Sequence, residues 1–148
     1  MKEIIFNSIV ETQSYAADFA KTVPLGTVIG LIGDLGTGKT TFSQGFAKGL
    51  GIKDKVISPT FKLVSEYEGK NPFYHIDCYR LESSFDFLNI GGEEFINSNE
   101  SITLIEWAER IESLWSENWV FIYFNIVKDK EEYILKLKLQ KLVVKALD

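Results

Sequence analysis

The stretch "GDLGTGKTT" at residues 33–41 combines three glycines, one lysine and three threonines. It matches the pattern G-x-x-x-x-G-K-[ST] from Gly33 through Gly38 and Lys39 to Thr40, which is typical of loops that hold nucleotide phosphates. At the residue frequencies of this chain, roughly one sequence in 100 would contain the pattern by chance. The match therefore predicts a phosphate-binding loop, against the alternative of a glycine-rich turn with a surface lysine.

The residue types of this loop suit ATP and Mg²⁺. A loop with few side chains lets successive backbone N–H groups converge on phosphate oxygens at the positive end of the next helix. We expect Lys39 to bridge the β- and γ-phosphates, and the Thr40 hydroxyl to take one Mg²⁺ position while phosphates and water supply others. The predicted nucleotide contacts in this stretch are Gly33, Asp34, Leu35, Gly36, Thr37, Gly38, Lys39, Thr40 and Thr41.

Hydrolysis also needs a carboxylate that organises Mg²⁺, and Glu106 is a candidate. It ends the apolar stretch "ITLI", and α/β sheets usually open their ligand crevice at the carboxyl ends of strands. There it could hold Mg²⁺ directly or through water, as a Walker B acid does. The alternative is a strand-end glutamate in solvent.

Three further side chains lie at suggestive positions. Asp77 follows the strand-like "FYHI" and could orient a water or share the metal shell, or simply cap the next turn. His75 shares the face of Asp77 by strand alternation, but a lone strand histidine is more often packed than catalytic. Thr60, in "SPTF", could sense the γ-phosphate as switch threonines do, although a surface turn would look similar.

The hydrophobic pattern predicts the elements that position these residues. "TVIGLI" at residues 27–32 is typical of a buried strand, and residues 40–50 place Phe42, Phe46 and Leu50 on one helix face. Strand, glycine loop and helix thus follow in the required order. Before them we expect a strand at residues 2–6 and a helix, capped by Thr12 or Ser14, that carries Tyr15, Phe19 and Val23 on one face.

The rest of the chain predicts strands and short helices. They are antiparallel strands at 61–67 and 72–79 around a turn at 68–71, helices at 85–88, 93–96 and 108–115, a strand at 102–106, and a hairpin of 119–127 with 133–139. We expect an α/β fold, a three-layer sandwich like that of P-loop NTPases, with a mixed sheet that is parallel near the loop and has antiparallel additions. In "YILKLKLQ" the alternating lysines favour a half-buried edge strand over a nucleic-acid contact.

Length and composition limit the class of protein. At 148 residues we expect one domain, 1–148, around a single core. No apolar run approaches the roughly 18 residues of a membrane span, and the N-terminus lacks a signal-peptide core, so we expect a cytoplasmic protein away from membranes. The single Cys78 has no disulfide or metal-ligand companion. A net charge of −5 makes direct binding of nucleic acid unfavourable.

Other P-loop functions fit the sequence less well. A small-molecule kinase usually uses several arginines to screen the transferring phosphoryl group, and this chain has only Arg80 and Arg110. A GTPase would carry an N-K-x-D motif, which does not occur. A nucleotide-binding scaffold that never hydrolyses would not need Glu106 and Asp77.

Together these motifs resemble those of the TsaE family, also called YjeE, the bacterial P-loop ATPases needed to make threonylcarbamoyladenosine (t6A) in tRNA. The resemblance rests on "GDLGTGKTTF", "VISPTFKLVSEY", "YHIDCYRL", "IGGEEF" and "LIEWAER", and extends from the N-terminal helix to about Trp107. The family commonly has alanine at the position of Thr37, a small change that leaves the backbone cradle intact.

The resemblance implies a set of roles and partners. Lys39 and Thr40 would bind phosphate and Mg²⁺, Glu106 would be the metal-side acid, and Asp77 and Trp107 would be needed for activity. Thr60 would lie in a switch-like loop. Residues near Glu11 and Thr12 would approach the adenine. Family members act with the TsaD and TsaB proteins, so tRNA would be reached only through that complex.

Overall fold

The computed structural model of the protein describes residues 2–59, 62–129 and 132–140, so Thr60 lies outside the described residues. Strands and helices alternate along this part of the chain. In order they are β1 Lys2–Phe6, α1 Ile9–Ala20, β2 Val28–Ile32, α2 Lys39–Gly49, β3 Val64–Glu68, β4 Pro72–Asp77, α3 Ser84–Asn89, α4 Glu93–Ile96, β5 Ile102–Glu106, a 3-10 helix Ala108–Leu114, β6 Val120–Asp129 and β7 Glu132–Gln140.

The described strands form one mixed sheet in the order β1-β7-β6-β2-β5-β4-β3. Its centre is parallel, because β2 pairs with both β5 and β6 in parallel and β5 does so with β4. The outer pairs, β3 with β4, β6 with β7 and β1 with β7, are antiparallel. The predicted α/β fold, with parallel strands near the phosphate loop and antiparallel additions, is therefore confirmed.

Helices cover both faces of the sheet. Ile29 packs in a cluster that contains Phe42 and Phe46 of α2 and Ala16 of α1. Its neighbour Val28 packs in a second cluster with residues of α3 and the 3-10 helix. Successive strand residues point to opposite faces, so the two clusters lie on opposite sides of the sheet and the three-layer prediction is confirmed. None of the described helices is long and apolar enough to cross a membrane.

The predicted start of the first helix is wrong. Helix α1 begins at Ile9, and its N-cap is Ser8 rather than Thr12 or Ser14. The Ser8 hydroxyl accepts a hydrogen bond from the Glu11 backbone N–H at 3.1 Å, and the Glu11 carboxylate accepts one from the Asn7 N–H at 2.7 Å. Glu11 therefore reaches back toward the helix entrance much as a capping-box glutamate does, which satisfies N–H groups that the helix cannot.

Two glycines let α1 and α2 approach closely. A Cβ atom added at Gly45 would lie 2.5 Å from Gln13 backbone atoms, and one at Gly49 would lie 2.2 Å from the Ala17 carbonyl oxygen. Only glycine fits such a backbone contact. The N-terminus of α1 is thereby held beside the N-terminus of α2, where the phosphate loop ends.

The C-terminal half departs from prediction in two places. Strand β7 lies between β1 and β6, so the expected edge strand is wrong: β1 covers the side of β7 that β6 leaves open. The side chains of its lysines and leucines lie outside the described part of the chain. The helix predicted at 108–115 is a 3-10 helix with non-helical dihedral angles at Ile111. The break at Ile111, with φ of −123° and ψ of 34°, interrupts the run of helical residues that a regular α-helix over this stretch would need.

Candidate nucleotide-binding site

The carboxyl ends of three neighbouring parallel strands form the floor of the site. In the sheet register, Glu106 of β5 lies opposite Leu31 of β2 on one side and Asp77 of β4 on the other. The phosphate loop leaves β2 immediately after this point. Two carboxylates that are far apart in sequence therefore meet beside the loop, as expected for the crevice at strand ends of an α/β sheet.

The loop between β2 and α2 depends on its glycines. Gly33, Gly36 and Gly38 have φ angles of 155°, 75° and 98°, which side-chain-bearing residues rarely adopt. A Cβ at Gly33 would also lie 2.7 Å from the Phe124 carbonyl oxygen. Thr37 is buried, and its hydroxyl donates to the Asp34 carbonyl at 2.7 Å, while Asp34 and Leu35 are exposed at the rim.

Lys39 is held inside this loop. Its ammonium donates to the carbonyl oxygens of Gly33 and Asp34, the latter at 2.7 Å, and only 4% of the residue is exposed. Burial lowers the pKa of Lys39, while the carboxylates of Glu109 and Glu106 act in the opposite direction. A positive charge in a partly dehydrated loop interacts more strongly with a phosphate than one in water.

Thr40, Glu106 and His75 form a continuous hydrogen-bonded chain. The Thr40 hydroxyl donates to Glu106 Oε1 at 2.9 Å, and His75 Nε2 lies 2.6 Å from Glu106 Oε2. Glu106 and His75 are both almost fully buried. The structure thus brings together the two residues predicted as metal ligands, and Glu106 is not a solvent-exposed strand end.

Both carboxylate oxygens of Asp77 accept hydrogen bonds. Its Oδ2 accepts a hydrogen bond from the Ser58 hydroxyl at 2.8 Å, and its Oδ1 accepts one from the Tyr79 backbone N–H at 2.9 Å. The second contact is the turn-capping geometry that was the alternative for this residue. Asp77 also lines a pocket together with Lys39, Thr40 and Glu106, so a role in the site and a role in capping the turn are compatible.

Trp107 has an unusual backbone next to these acids. Its φ of 58° and ψ of 42° lie in the left-handed region, which is uncommon for a bulky residue. The Lys39 ammonium lies 4.3 Å from the centre of the Trp107 ring, and the centres of the Trp107 and Tyr79 rings are 4.9 Å apart. Strained residues of this kind often cluster at binding sites, where the surrounding structure holds them in place.

Two pockets meet at the loop. The first, of about 270 Å³, is lined by Leu35, Gly36, Gly38, Lys39, Thr40, Thr41, Ser58, Asp77, Tyr79, Glu106 and Trp107. The second, of about 350 Å³, is lined by Phe6, Asn7, Ser8, Ile9, Thr12, Gly36, Thr37, Gly38, Thr41 and Ile126. Gly36, Gly38 and Thr41 border both pockets. Thr12 lines the second pocket, whereas Glu11 borders neither pocket and its carboxylate accepts a hydrogen bond from the Asn7 N–H at the start of α1.

Comparison with known proteins assigns the family. The family model described as "Threonylcarbamoyl adenosine biosynthesis protein TsaE" matches residues 6–134.

The chain belongs to the TsaE family.

Similar proteins support this assignment. The chain is 38% identical over 137 residues to the tRNA threonylcarbamoyladenosine biosynthesis protein TsaE of Bacillus subtilis, which covers 90% of this chain and 85% of the relative. It is 40% identical over 119 residues to the protein of that name from Synechocystis sp., covering 78% and 75%. A crystal structure of Bacillus subtilis YdiB superposes with a TM-score of 0.79 and 31% identity, covering 99% of this chain and 90% of that one.

Several site residues of this TsaE-family chain were not predicted from its sequence, among them three beside the loop and the two acids. Ser58 binds Asp77, His75 binds Glu106, and the Glu109 carboxylate lies close enough to Lys39 for its charge to raise the pKa of the Lys39 ammonium. Burial raises the pKa of Glu109, and the nearby Lys39 ammonium lowers it. Glu109 lies three residues after Glu106, a spacing that could have indicated a second acid beside the loop.

Proposed function

We propose that the chain is a Mg²⁺-dependent ATPase required for forming threonylcarbamoyladenosine in tRNA, and that residues 1–148 act as a single P-loop domain. The observation that carries the proposal is the 2.9 Å hydrogen bond from the Thr40 hydroxyl to Glu106 Oε1. It joins the last residue of the phosphate-loop motif to a strand-end carboxylate, which is the pairing that P-loop hydrolases need around Mg²⁺. Membership of the TsaE family supports the link to tRNA modification.

The two pockets suit the two ends of ATP. The pocket with Lys39, Thr40 and Glu106 offers positive charge and oxygen ligands, as a triphosphate and its metal require. The pocket with Ile9 and Ile126 offers apolar side chains for a base. Because the loop glycines border both, one nucleotide would extend across the loop from one pocket to the other.

The residues present fit a Mg²⁺ ion held mainly by phosphate. The Thr40 hydroxyl and the Glu106 carboxylate are the hard oxygen donors that Mg²⁺ prefers. Among the described residues, no group of three or more histidine, cysteine and acidic side chains could hold a metal ion by itself. This is the usual arrangement for a metal that enters with its nucleotide and keeps several waters. When bound, such an ion would neutralise charge that develops on the transferring phosphoryl group.

Each step of binding and hydrolysis would then depend on particular residues of the chain. Lys39 binds the phosphates, Thr40 and Glu106 hold the metal side, and Asp77 orients an attacking water while Ser58 keeps its carboxylate in place. Trp107 packs against Lys39 and limits where the ammonium can lie. We keep a switch role for Thr60 and an adenine contact for Thr12 as part of this proposal.

The proposal includes partner proteins, TsaD and TsaB, at the nucleotide face in the cytoplasm. Three exposed apolar side chains lie at or beside the phosphate pocket: Leu35, Ile57 and Tyr79, which are 75%, 58% and 41% exposed. Exposed apolar groups around a pocket favour contact with another protein. The net charge of −5 disfavours direct contact with tRNA, so tRNA would be reached through the complex.

The test is phosphate release from ATP and Mg²⁺ by the chain alone and with TsaD and TsaB, together with t6A formation on tRNA in the complete mixture. We expect slow release by the chain alone, a changed rate with partners, and no t6A without it. Binding of Mg²⁺ and ATP without hydrolysis in any mixture would indicate a nucleotide-binding scaffold. Absence of nucleotide binding would refute the phosphate-loop assignment itself.

A further inference from the structure

One buried polar side chain has no role in the chemistry proposed above. His75 lies in the middle of β4 and has no exposed surface. Its ring is nearly parallel to that of Phe73, with 6.3 Å between their centres, and Phe73 belongs to the apolar core beneath α2. Burying a polar ring among apolar groups costs free energy unless it is hydrogen-bonded, so its contacts should account for its presence.

The main polar contact of His75 is with the candidate metal-side acid. Its Nε2 lies 2.6 Å from Glu106 Oε2, whereas Nδ1 has no hydrogen-bond partner among the described residues. A carboxylate oxygen accepts, so Nε2 carries the hydrogen in this contact. A hydrogen on Nδ1 would be a buried donor without an acceptor, which also favours Nε2–H.

This contact determines how Glu106 faces the phosphate loop. One carboxylate oxygen is held by His75 and the other accepts from the Thr40 hydroxyl at 2.9 Å. With both oxygens engaged, the carboxylate cannot rotate without breaking a hydrogen bond. Because the Thr40 hydrogen is directed to Glu106, the lone pairs of its oxygen are left for a metal ion on the pocket side.

We propose that His75 is a positioning residue, which holds Glu106 and through it orients the Thr40 hydroxyl toward a phosphate-bound Mg²⁺. The inference rests on the proposed nucleotide site and adds a residue to it. It follows the general arrangement in which groups behind the metal ligands fix their orientation, and removing such a group typically weakens metal binding or activity about 10- to 100-fold.

The first test uses the unaltered sequence, because His75 is the only histidine of the chain. In a tag-free sample with ¹⁵N-labelled histidine, NMR reports this ring alone. We expect one slowly exchanging Nε2–H signal that shifts when Mg²⁺ is added to the ADP complex and stays unchanged when ADP is added with a chelator. A rapidly exchanging ring, an Nδ1–H tautomer, or a signal indifferent to Mg²⁺ would overturn the inference.

The second test compares substitutions at this position. His75→Phe keeps a flat ring but removes the donor, whereas His75→Gln keeps an N–H group near the place of Nε2. We expect His75→Phe to weaken the Mg²⁺ affinity of the nucleotide complex about 10- to 100-fold, as measured by calorimetry, and to lower kcat more than it raises KM for ATP. His75→Gln should restore both to near the values of the unaltered chain.

Controls separate this inference from the proposed function. Nucleotide affinity in chelator should be equal in all variants, since among the described residues the His75 side chain hydrogen-bonds to Glu106 and not to the loop backbone or Lys39. If His75→Phe does not fold, His75→Asn replaces it, because its shorter side chain cannot reach Glu106 as Gln does. Equal Mg²⁺ affinity for the Asn and Gln variants would refute a positioning role. Failure of the unaltered chain to bind Mg²⁺ and nucleotide would instead refute the proposed function.

Discussion

Replacing Lys39 by methionine should separate the contribution of its charge to ATP binding from the contribution of its side-chain packing. Methionine has a similar length and can keep the contact with the Trp107 ring, but it cannot replace the ammonium that lies 4.3 Å from that ring's centre. A charge-assisted contact with phosphate contributes about 1.5–3 kcal/mol. Since 1.4 kcal/mol corresponds to a factor of ten, Lys39→Met should weaken ATP binding about 10- to 150-fold.

The same substitution should leave the fold intact. It removes the donor to the Gly33 and Asp34 carbonyl oxygens, which destabilises the loop, but it also removes a charge from a residue that is only 4% exposed. These effects oppose each other, so we expect the free energy of unfolding to change by less than about 2 kcal/mol. Calorimetric titration with Mg²⁺ and ATP measures the first quantity, and chemical denaturation measures the second.

Lys48 provides a matched control. It lies in the last turn of the same helix, α2, and it is exposed. Lys48→Met removes the same charge from the same helix, so it corrects for any general electrostatic effect on a nucleotide. We expect its ATP affinity to stay within about twofold of the unaltered chain, because surface charges are strongly screened. Equal affinities for the two methionine variants would refute the assignment of the loop as a phosphate site.

Three other outcomes follow from named contacts. Glu106→Gln and Asp77→Asn should each lower the rate of ATP hydrolysis about 100-fold or more while changing the affinity for ATP less. If both variants hydrolyse ATP at the rate of the unaltered chain, these carboxylates have only a structural role. Gly49→Ala should destabilise the chain by about 1–3 kcal/mol in urea, because its Cβ would lie 2.2 Å from the Ala17 carbonyl oxygen; a stabilised variant would contradict that contact. Burial raises the pKa of the Cys78 thiol, so a disulfide reagent should label it only after unfolding, and rapid labelling of the native chain would contradict its burial.

Local patterns predicted those parts of the fold that depend on nearby residues. The strand, loop and helix around Lys39 follow from apolar periodicity and glycine spacing, and both antiparallel hairpins follow from turn residues between apolar stretches. The start of α1 was missed because the Ser8 cap and the reach of Glu11 back to the Asn7 N–H lie before the periodic stretch that indicated the helix.

Long-range pairing could not be predicted in the same way. The alternation in β7 is compatible with an edge strand or an interior one, and only the pairing of β1 with β7, from opposite ends of the chain, decides between them. In the site, sequence indicated that Glu106 and Asp77 each end a strand. That they are register partners, and that His75 reaches Glu106 diagonally, depends on how β4 and β5 align.

The end of β5 is where these long-range contacts converge. Glu106 binds Thr40 and His75 through its side chain, and its backbone carbonyl accepts the Cys78 N–H at 3.0 Å. The next residue, Trp107, turns the chain into the 3-10 helix and packs against Lys39. A ligand that binds Thr40 and Lys39 therefore contacts side chains that touch Glu106 and Trp107, two successive residues at the end of β5. That end also holds the segment after Asp77, since the Glu106 carbonyl accepts the Cys78 N–H and the Trp107 ring packs on that of Tyr79, one of the exposed side chains where we place the partner proteins.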